Sequence, residues 1–287
     1  MWLPWQYAAV GAVLLGAAGV ALGGRTDRWG AVGAVLREVA LMAVLYSMWQ
    51  LAGRLSVVHL EGAKWRGEKL WDLERAVKLP DEGEWQRAIL DHPLLVQASN
   101  IYYGGAHVPG MGIFLVWMFF WHRDRYKPWR NALAALTAAC LVVQLLPVAP
   151  PRLIPGLGVV DTGILYHQSV YSAFGSTVAG QLQAMPSLHA GWAILIAIAV
   201  WQVASGPWRW LGILHAALTV YVIAITGNHY WADSIVAGVI LLAVIAIQRG
   251  LRLRRRRAAD SYQLAADLCP STLDEYASST YGADGTT

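Results

Sequence analysis

A chain of 287 residues with 56% hydrophobic and 14% charged side chains lacks the polar surface of a soluble domain, in which about 25% of residues are charged. The net charge of +4 comes largely from Arg254–Arg257 and their neighbours. That run adjoins an apolar stretch and reads as a membrane-flanking anchor, with no nucleic-acid recognition motif beside it. The two cysteines, Cys140 in an apolar run and Cys269 in a polar tail, exclude a disulfide framework and a cysteine metal site.

Crossing about 30 Å of hydrocarbon takes roughly 20 helical residues. Taken in chain order, apolar stretches of this kind fall at 5–23, 31–51, 101–121, 132–148, 188–205, 210–226 and 231–248. They predict an all-α polytopic membrane bundle of about seven spans, a six-helix core plus an N-terminal span. Residues 1–51 hold two spans. No basic residue precedes the first of them, so no cleavable leader is expected. Residues 52–98 mix both charges with the apolar residues Leu60, Trp65, Leu70, Leu73 and Val77, broken at Pro80 and Gly83. They read as amphipathic helices on the outer membrane surface, either a collar around the bundle or a lid over a lipid entrance. Residues 99–248 form the main bundle, 249–257 a basic cytoplasmic anchor, and 258–287 a Ser-, Ala- and Asp-rich tail expected to be disordered. Fifteen Trp and twelve Tyr suit the headgroup level of a bilayer.

Arginines and lysines give the orientation. The 122–130 loop carries Arg123, Arg125, Lys127 and Arg130, and the segment after the last span carries Arg249, Arg252 and Arg254–Arg257. Placing both in the cytoplasm of a plasma-membrane protein puts the N-terminus and the 148–187 and 227–230 loops outside.

Three segments then meet at that outer side: the proline-framed 146–155 around Arg152, 185–190 with His189, and 227–234 with His229 and Asp233. His229 and Asp233 stand four apart, on one face of a helix. A carboxylate there fixes the imidazole tautomer and leaves the other nitrogen to attack, which is an oriented nucleophile. Pro186 fits a first helical turn. Ser187, Leu188 and His189 follow, where free N–H groups favour an anion, and Arg152 offers a bidentate fork to phosphate oxygens. A single interfacial His is ordinarily only a polar group, and Asp233 alone could serve the helix dipole. Two His and one Asp also fit a metal site, but an arginine beside a metal costs charge repulsion, so no metal and no cofactor is expected.

These motifs resemble those of the phosphatidic acid phosphatase type 2 (PAP2) superfamily. They are most similar to its inositolphosphotransferase-like branch, the bacterial inositol phosphorylceramide synthase-like proteins. The resemblance is carried by His229-Tyr-Trp-Ala-Asp233-Ser-Ile-Val-Ala-Gly238, by Pro186-Ser-Leu-His189-Ala-Gly191 and by Pro147-Val-Ala-Pro-Pro-Arg152. Upstream, Leu73-Glu74 with Gln86, Asn100-Ile-Tyr-Tyr103 and His107-Val-Pro109 add to it. The pattern departs where the superfamily has Ser-Arg before the final motif, because Val222 and Ile223 stand there. Arg152, Arg54, Lys64 or Arg66 would have to replace that charge.

The resemblance implies that His229 becomes a phosphohistidine, Asp233 orients it, and His189 protonates the leaving oxygen and then activates the acceptor. Arg152, Ser187, Leu188, Asn228 and Tyr230, with His107, Tyr103 and Asn100, are the candidate phosphate or substrate contacts. The expected partner is a membrane lipid phosphate or phospholipid donor. A polyol or sugar acceptor makes the protein a phosphotransferase, and water makes it a lipid phosphate phosphatase. A transporter or structural membrane protein is the alternative of another class. It would place ionisable groups along a mid-bilayer path, where His215 and His107 are the residues that fit. The oligomeric state is unknown.

Overall fold

The computed structural model describes residues 3–55, 62–169 and 178–268. His59, Leu60 and the tail from 269 lie outside these residues. The chain is a polytopic membrane helix bundle, and among the described residues the only β pairing is one isolated bridge, Val148 with Gln183. It divides into two units, residues 1–242 and 243–287.

The long helices are α1 (Trp5–Leu22), α2 (Arg28–Leu55), α3 (Ala63–Ala76), α4 (Glu82–Leu90), α5 (Pro93–Gly105), α6 (His107–Trp121), α7 (Arg123–Val143), α8 (Leu188–Val203), α9 (Arg209–Ile225) and α10 (Trp231–Leu268). α1, α2, α9 with its preceding turn, and α10 are long and apolar enough to cross a membrane. α5 and α6 together pass the same test but bend by 51°, where the sequence predicts one straight span over 101–121. The break falls at Ala106, directly after Gly104-Gly105, and glycine weakens a helix interior. α8 is a shorter apolar helix. α7 starts at Arg123 rather than at 132, so the basic loop is helical, with Asp124 in the first turn to suit the dipole. The bundle exposes large apolar side chains outward, among them Val13, Val20, Ile113, Phe120, Leu214 and Val239. Such a surface belongs in lipid.

Small residues set the close helix contacts. A Cβ on Gly19 of α1 would lie 2.9 Å from the Gly33 carbonyl oxygen of α2, and one on Gly191 of α8 would lie 3.2 Å from Leu136 of α7. Backbones approach this closely in lipid only over such residues.

The 52–98 segment differs in detail from its sequence reading. In α3 the buried residues are Ala63, Gly67, Leu70 and Glu74, while Trp65, Leu73 and Val77 are exposed. Of the described bulky apolar residues read from the sequence only Leu70 faces inward, because the rest of the inner face is small residues and a buried acid. Gly83 lies within α4 and breaks nothing; the interruption is 77–81, where Lys78 takes a positive φ of 60° ahead of Pro80. α3 packs through Ala63 and Leu70 on Val148, Ala149, Ile154, Leu182, Ala184 and Tyr230. That cluster joins the surface segment to the long 144–187 connection.

The second unit is helical to Leu268, so α10 replaces the first part of the tail expected to be disordered. Ala258, Ala259, Leu264, Ala265 and Ala266 are good helix formers. Arg249, Arg252 and Arg254–Arg257 are exposed along it.

Candidate active site

The turn from α9 into α10 carries the first histidine. Gly227 adopts φ 67°, a left-handed conformation that glycine takes without penalty. A Cβ there would also meet Val159 at 2.6 Å. The backbone N–H groups of Asn228 and His229 both donate to the Ile223 carbonyl. Ile223 therefore closes this turn at one of the two positions where Ser-Arg would stand.

His229 is 4% exposed, and its Nδ1 lies 2.7 Å from the Ala184 carbonyl oxygen and 3.1 Å from Asp233 Oδ2. Both neighbours are acceptors, so Nδ1 carries the hydrogen and Nε2 presents a lone pair. Asp233 Oδ2 also accepts the Tyr230 N–H at 2.9 Å, and Asp233 is fully buried. The Ala184 carbonyl reaches the site because the Val148–Gln183 bridge holds its segment: Val148 N donates to Leu182 O, and Ala184 N donates to Val148 O.

His189 Nδ1 stands 3.5 Å from His229 Nε2, with ring centres 5.7 Å apart. Asp233 and His189 thus occupy opposite edges of the His229 ring, and a single ion could not be held by all three. Among the described residues, no group of three His, Cys, Asp or Glu is arranged for a metal.

The cap of α8 is Ser187, and Pro186 precedes it outside the helix, where the sequence reading has Pro186 in the first turn. The Ser187 hydroxyl accepts the Ala190 N–H at 3.2 Å, and its own N–H donates to the Asp233 carbonyl. Ser187 is fully buried, and cap and tether both position it. Leu188 and His189 are the first two helical residues, whose N–H groups take no backbone or side-chain partner among the described residues. That is the usual anion site of a helix start.

Several predicted contacts turn out to be braces. Arg152 is 9% exposed; its Nε donates to Asn228 Oδ1 at 2.8 Å and its Nη1 to Asp161 Oδ2 at 2.6 Å. This edge of the guanidinium grips protein rather than forking a phosphate, and it fixes the residue next to His229. Asn228 also donates to Thr226 Oγ1 at 2.9 Å. Tyr230 is fully buried and donates its hydroxyl to the Ala149 carbonyl at 2.8 Å. The Asn100 amide bonds Thr162 and Gln168. Arg66 Nε donates to the Pro147 carbonyl at 2.7 Å, Lys64 is exposed, and Arg54 lies in the last turn of α2. Tyr103 and His107 do join the pair: their ring centres lie 4.9 and 4.3 Å from that of His189. His215 accepts or donates at Nδ1 to the Tyr102 hydroxyl, 2.8 Å away, as a polar group inside the bundle.

Sequence reasoning assigned no role to a second layer that the fold supplies. Glu74 and Glu82, 1% and 0% exposed, reach from α3 and α4 to the start of α10. Glu74 Oε1 accepts the Ala232 N–H at 2.6 Å and Glu82 Oε1 the Trp231 N–H at 3.1 Å. Arg75 lies across both, 3.1 Å from Glu82 Oε2 and 3.5 Å from Glu74 Oε2. Burial, followed by the hydrogen bond and charge of Glu82, raises the Glu74 carboxyl to about 9, so it is protonated at neutral pH. Gln86, fully buried, ties the Val160 and Ile225 carbonyls together with its amide at 2.9 Å each. The signal was a stripe of Gly67, Leu70 and Glu74 at helical spacing, with an acid where the face turns inward.

A sequence profile of the PAP2 superfamily matches residues 68–247, a stretch that begins in α3 and ends in α10 and contains every residue of this site. No curated protein and no solved structure matches the chain significantly.

Proposed function

Because this chain belongs to the PAP2 superfamily, we propose that it is a phosphoryl-transfer enzyme acting on a lipid-linked phosphate through a phosphohistidine on His229. The observation that carries the reading is the 3.5 Å approach of His189 to His229 Nε2, with Asp233 and the Ala184 carbonyl holding the opposite nitrogen. The Nε2 lone pair attacks phosphorus, and the phosphorus–oxygen bond to the leaving group breaks. His189, protonated, gives its proton to the leaving oxygen. In the second step His189 takes the acceptor's proton, the acceptor oxygen bonds phosphorus, and the nitrogen–phosphorus bond breaks.

A phosphorus between the two nitrogens requires them to part, since reacting atoms start about 3–3.5 Å from each other before attack. His229 is clamped at Nδ1, whereas His189 is half-buried at the start of α8. His189 is therefore the ring that turns aside. The N–H groups of Leu188 and His189 offset the phosphate without a metal ion, and Arg152 braces the turn beside them. An apolar cavity of about 520 Å³ lies between α6, α8 and α9, lined by Ile113, Phe114, Trp117, Ile196, Val200 and Leu211, with His215 in its wall. The His215 ring centre is 6.4 Å from that of His107. A lipid tail below a phosphate at His189 fits this placement, and such a substrate puts the site at a membrane surface. Following the positive charges, that surface is the outer face of the plasma membrane, with the N-terminus outside and the C-terminus in the cytoplasm.

Transfer to a polyol, as in the inositolphosphotransferase-like branch, is the favoured outcome, with hydrolysis as its competitor. The test is a panel of lipid phosphates and phospholipids offered to purified protein in EDTA, with and without polyol acceptors, and read by mass spectrometry. Release or transfer that disappears in His229→Ala and His189→Ala is expected. Full activity in His229→Ala would remove the nucleophile from the scheme.

A further inference from the structure

His107 begins α6 beside the catalytic pair, and none of the steps above uses it. It is 5% exposed. Its Nδ1 lies 3.0 Å from the Tyr103 carbonyl oxygen one turn back, at the break between α5 and α6. A carbonyl can only accept, so Nδ1 carries the hydrogen and the neutral ring keeps a lone pair at Nε2. That Nε2 is buried and has no hydrogen-bond partner among the described residues. A buried acceptor without a donor is costly, and this one belongs to a ring whose centre is 4.3 Å from that of His189. A fully ionised phosphate brings oxygen lone pairs rather than hydrogens and leaves the neutral ring unsatisfied. An O–H satisfies it.

We propose that His107 Nε2 is the acceptor-binding group of this site, and that it selects acceptors bringing two O–H donors together. The inference rests on the phosphohistidine reading. In the second step one O–H of the acceptor gives its proton to His189 while its oxygen bonds phosphorus and the His229 nitrogen–phosphorus bond breaks. A second O–H donates to His107 Nε2 and keeps its proton. A monohydric alcohol has one hydrogen for two lone pairs and leaves one of them empty. A vicinal diol fills both, as does water. The acceptor is therefore a polyol, with water competing and simple alcohols disfavoured.

The experiment offers purified full-length protein a lipid phosphate that it turns over, with glycerol or 1-propanol as acceptor at matched concentration, and measures the phosphorylated products by mass spectrometry. Wild type should favour glycerol about three- to tenfold per hydroxyl, the worth of one hydrogen bond in a buried site. His107→Phe keeps a ring but no acceptor, and the preference should fall towards one. His107→Gln restores an acceptor oxygen and should recover part of it. Equal use of glycerol and 1-propanol by wild type would overturn the proposal, whether or not the variants fold, and so would an unchanged preference in His107→Phe. If wild type forms no His229-dependent product from any donor, the phosphohistidine reading itself has failed, which is a different result.

Discussion

Replacing Asp233 with Asn separates the two things this carboxylate does. In the serine-protease triad the carboxylate fixes the tautomer, and its amide variant loses about four orders of magnitude because the wrong nitrogen carries the hydrogen. Here the Ala184 carbonyl lies 2.7 Å from His229 Nδ1, closer than Asp233 Oδ2 at 3.1 Å. A carbonyl cannot donate, so the attacking Nε2 stays unprotonated in Asp233→Asn. The amide oxygen, placed where Oδ2 now stands, can still accept from His229 and from the Tyr230 N–H. What disappears is the negative charge facing an imidazole that becomes positive as it bonds phosphorus. A charge-assisted hydrogen bond exceeds a neutral one by about 1–2 kcal/mol, and at about 1.36 kcal/mol per decade the rate falls about 5- to 30-fold. Initial rates against the best lipid phosphate, with His229→Ala as background, decide the matter. Activity as low as in His229→Ala would show that the carbonyl does not hold the tautomer. A change of less than twofold would show that the carboxylate charge is not felt by the transition state.

The buried acids make further predictions. Because burial and the neighbouring Glu82 hold the Glu74 carboxyl at about 9, above the ordinary 4.5, the folded state holds an extra proton between those limits. Stability therefore falls as pH rises from about 4.5 to about 9; melting temperature in detergent should drop over this window in wild type and be flatter in Glu74→Gln. Glu82→Ala deprives the Trp231 N–H of its partner and Arg75 of one of its partners, a loss of about 2–4 kcal/mol, seen as a melting temperature lower by about 5–10 °C. A Cβ on Gly67 would lie 2.5 Å from Ile154 Cδ1, 2.6 Å from the Ala149 carbonyl oxygen and 2.7 Å from the Tyr230 hydroxyl. Gly67→Ala should cost about 1–3 kcal/mol by overpacking and lower kcat as well, because Tyr230 adjoins His229; a melting shift with unchanged kcat would disconnect this contact from the site.

What the sequence made legible was whatever repeats or spaces itself regularly. Apolar runs located the helices, and the four-residue spacing of His229 and Asp233 located one edge of the site. The forty-residue separation of His189 and His229 became proximity once two spans were placed between them. The bend at Ala106 went unread although Gly104-Gly105 and Pro109 mark it, because the stretch from Ile101 to Trp121 has the length of one span. The inner face of α3 was misread because, of its residues Gly67, Leu70 and Glu74, only Leu70 carries a hydrophobic signal. The Ala184 carbonyl could not be found at all: every residue has a carbonyl, and only the fold says which one meets a histidine. Arg152 was found by residue type, but its partners Asp161 and Asn228 turned a predicted phosphate fork into a brace.

An anionic substrate must approach His229 past four acids, Glu74, Glu82, Asp233 and Asp161, and the missing Arg of the final motif makes that harder to understand. The difficulty eases when each acid is followed to its partner. Glu74 keeps its proton at neutral pH. Glu82 faces Arg75, Asp233 faces His229, and Asp161 faces Arg152. Only Asp233, opposite a neutral His229, keeps a charge that is not offset until the imidazole turns positive, so the field a phosphate meets is set mainly by the N–H groups at the start of α8 and by the proton His189 carries in the first step. Preorganised donors of this kind act without reorganising as charge develops. Val222 and Ile223 can then serve packing, at 2% and 0% exposure, because the charge that an arginine would bring there is not needed to cancel the local acids. The same pairing explains why the site depends on α3 and α4: with Glu82 or Arg75 removed, an uncompensated charge would stand in contact with the start of the helix that carries Asp233.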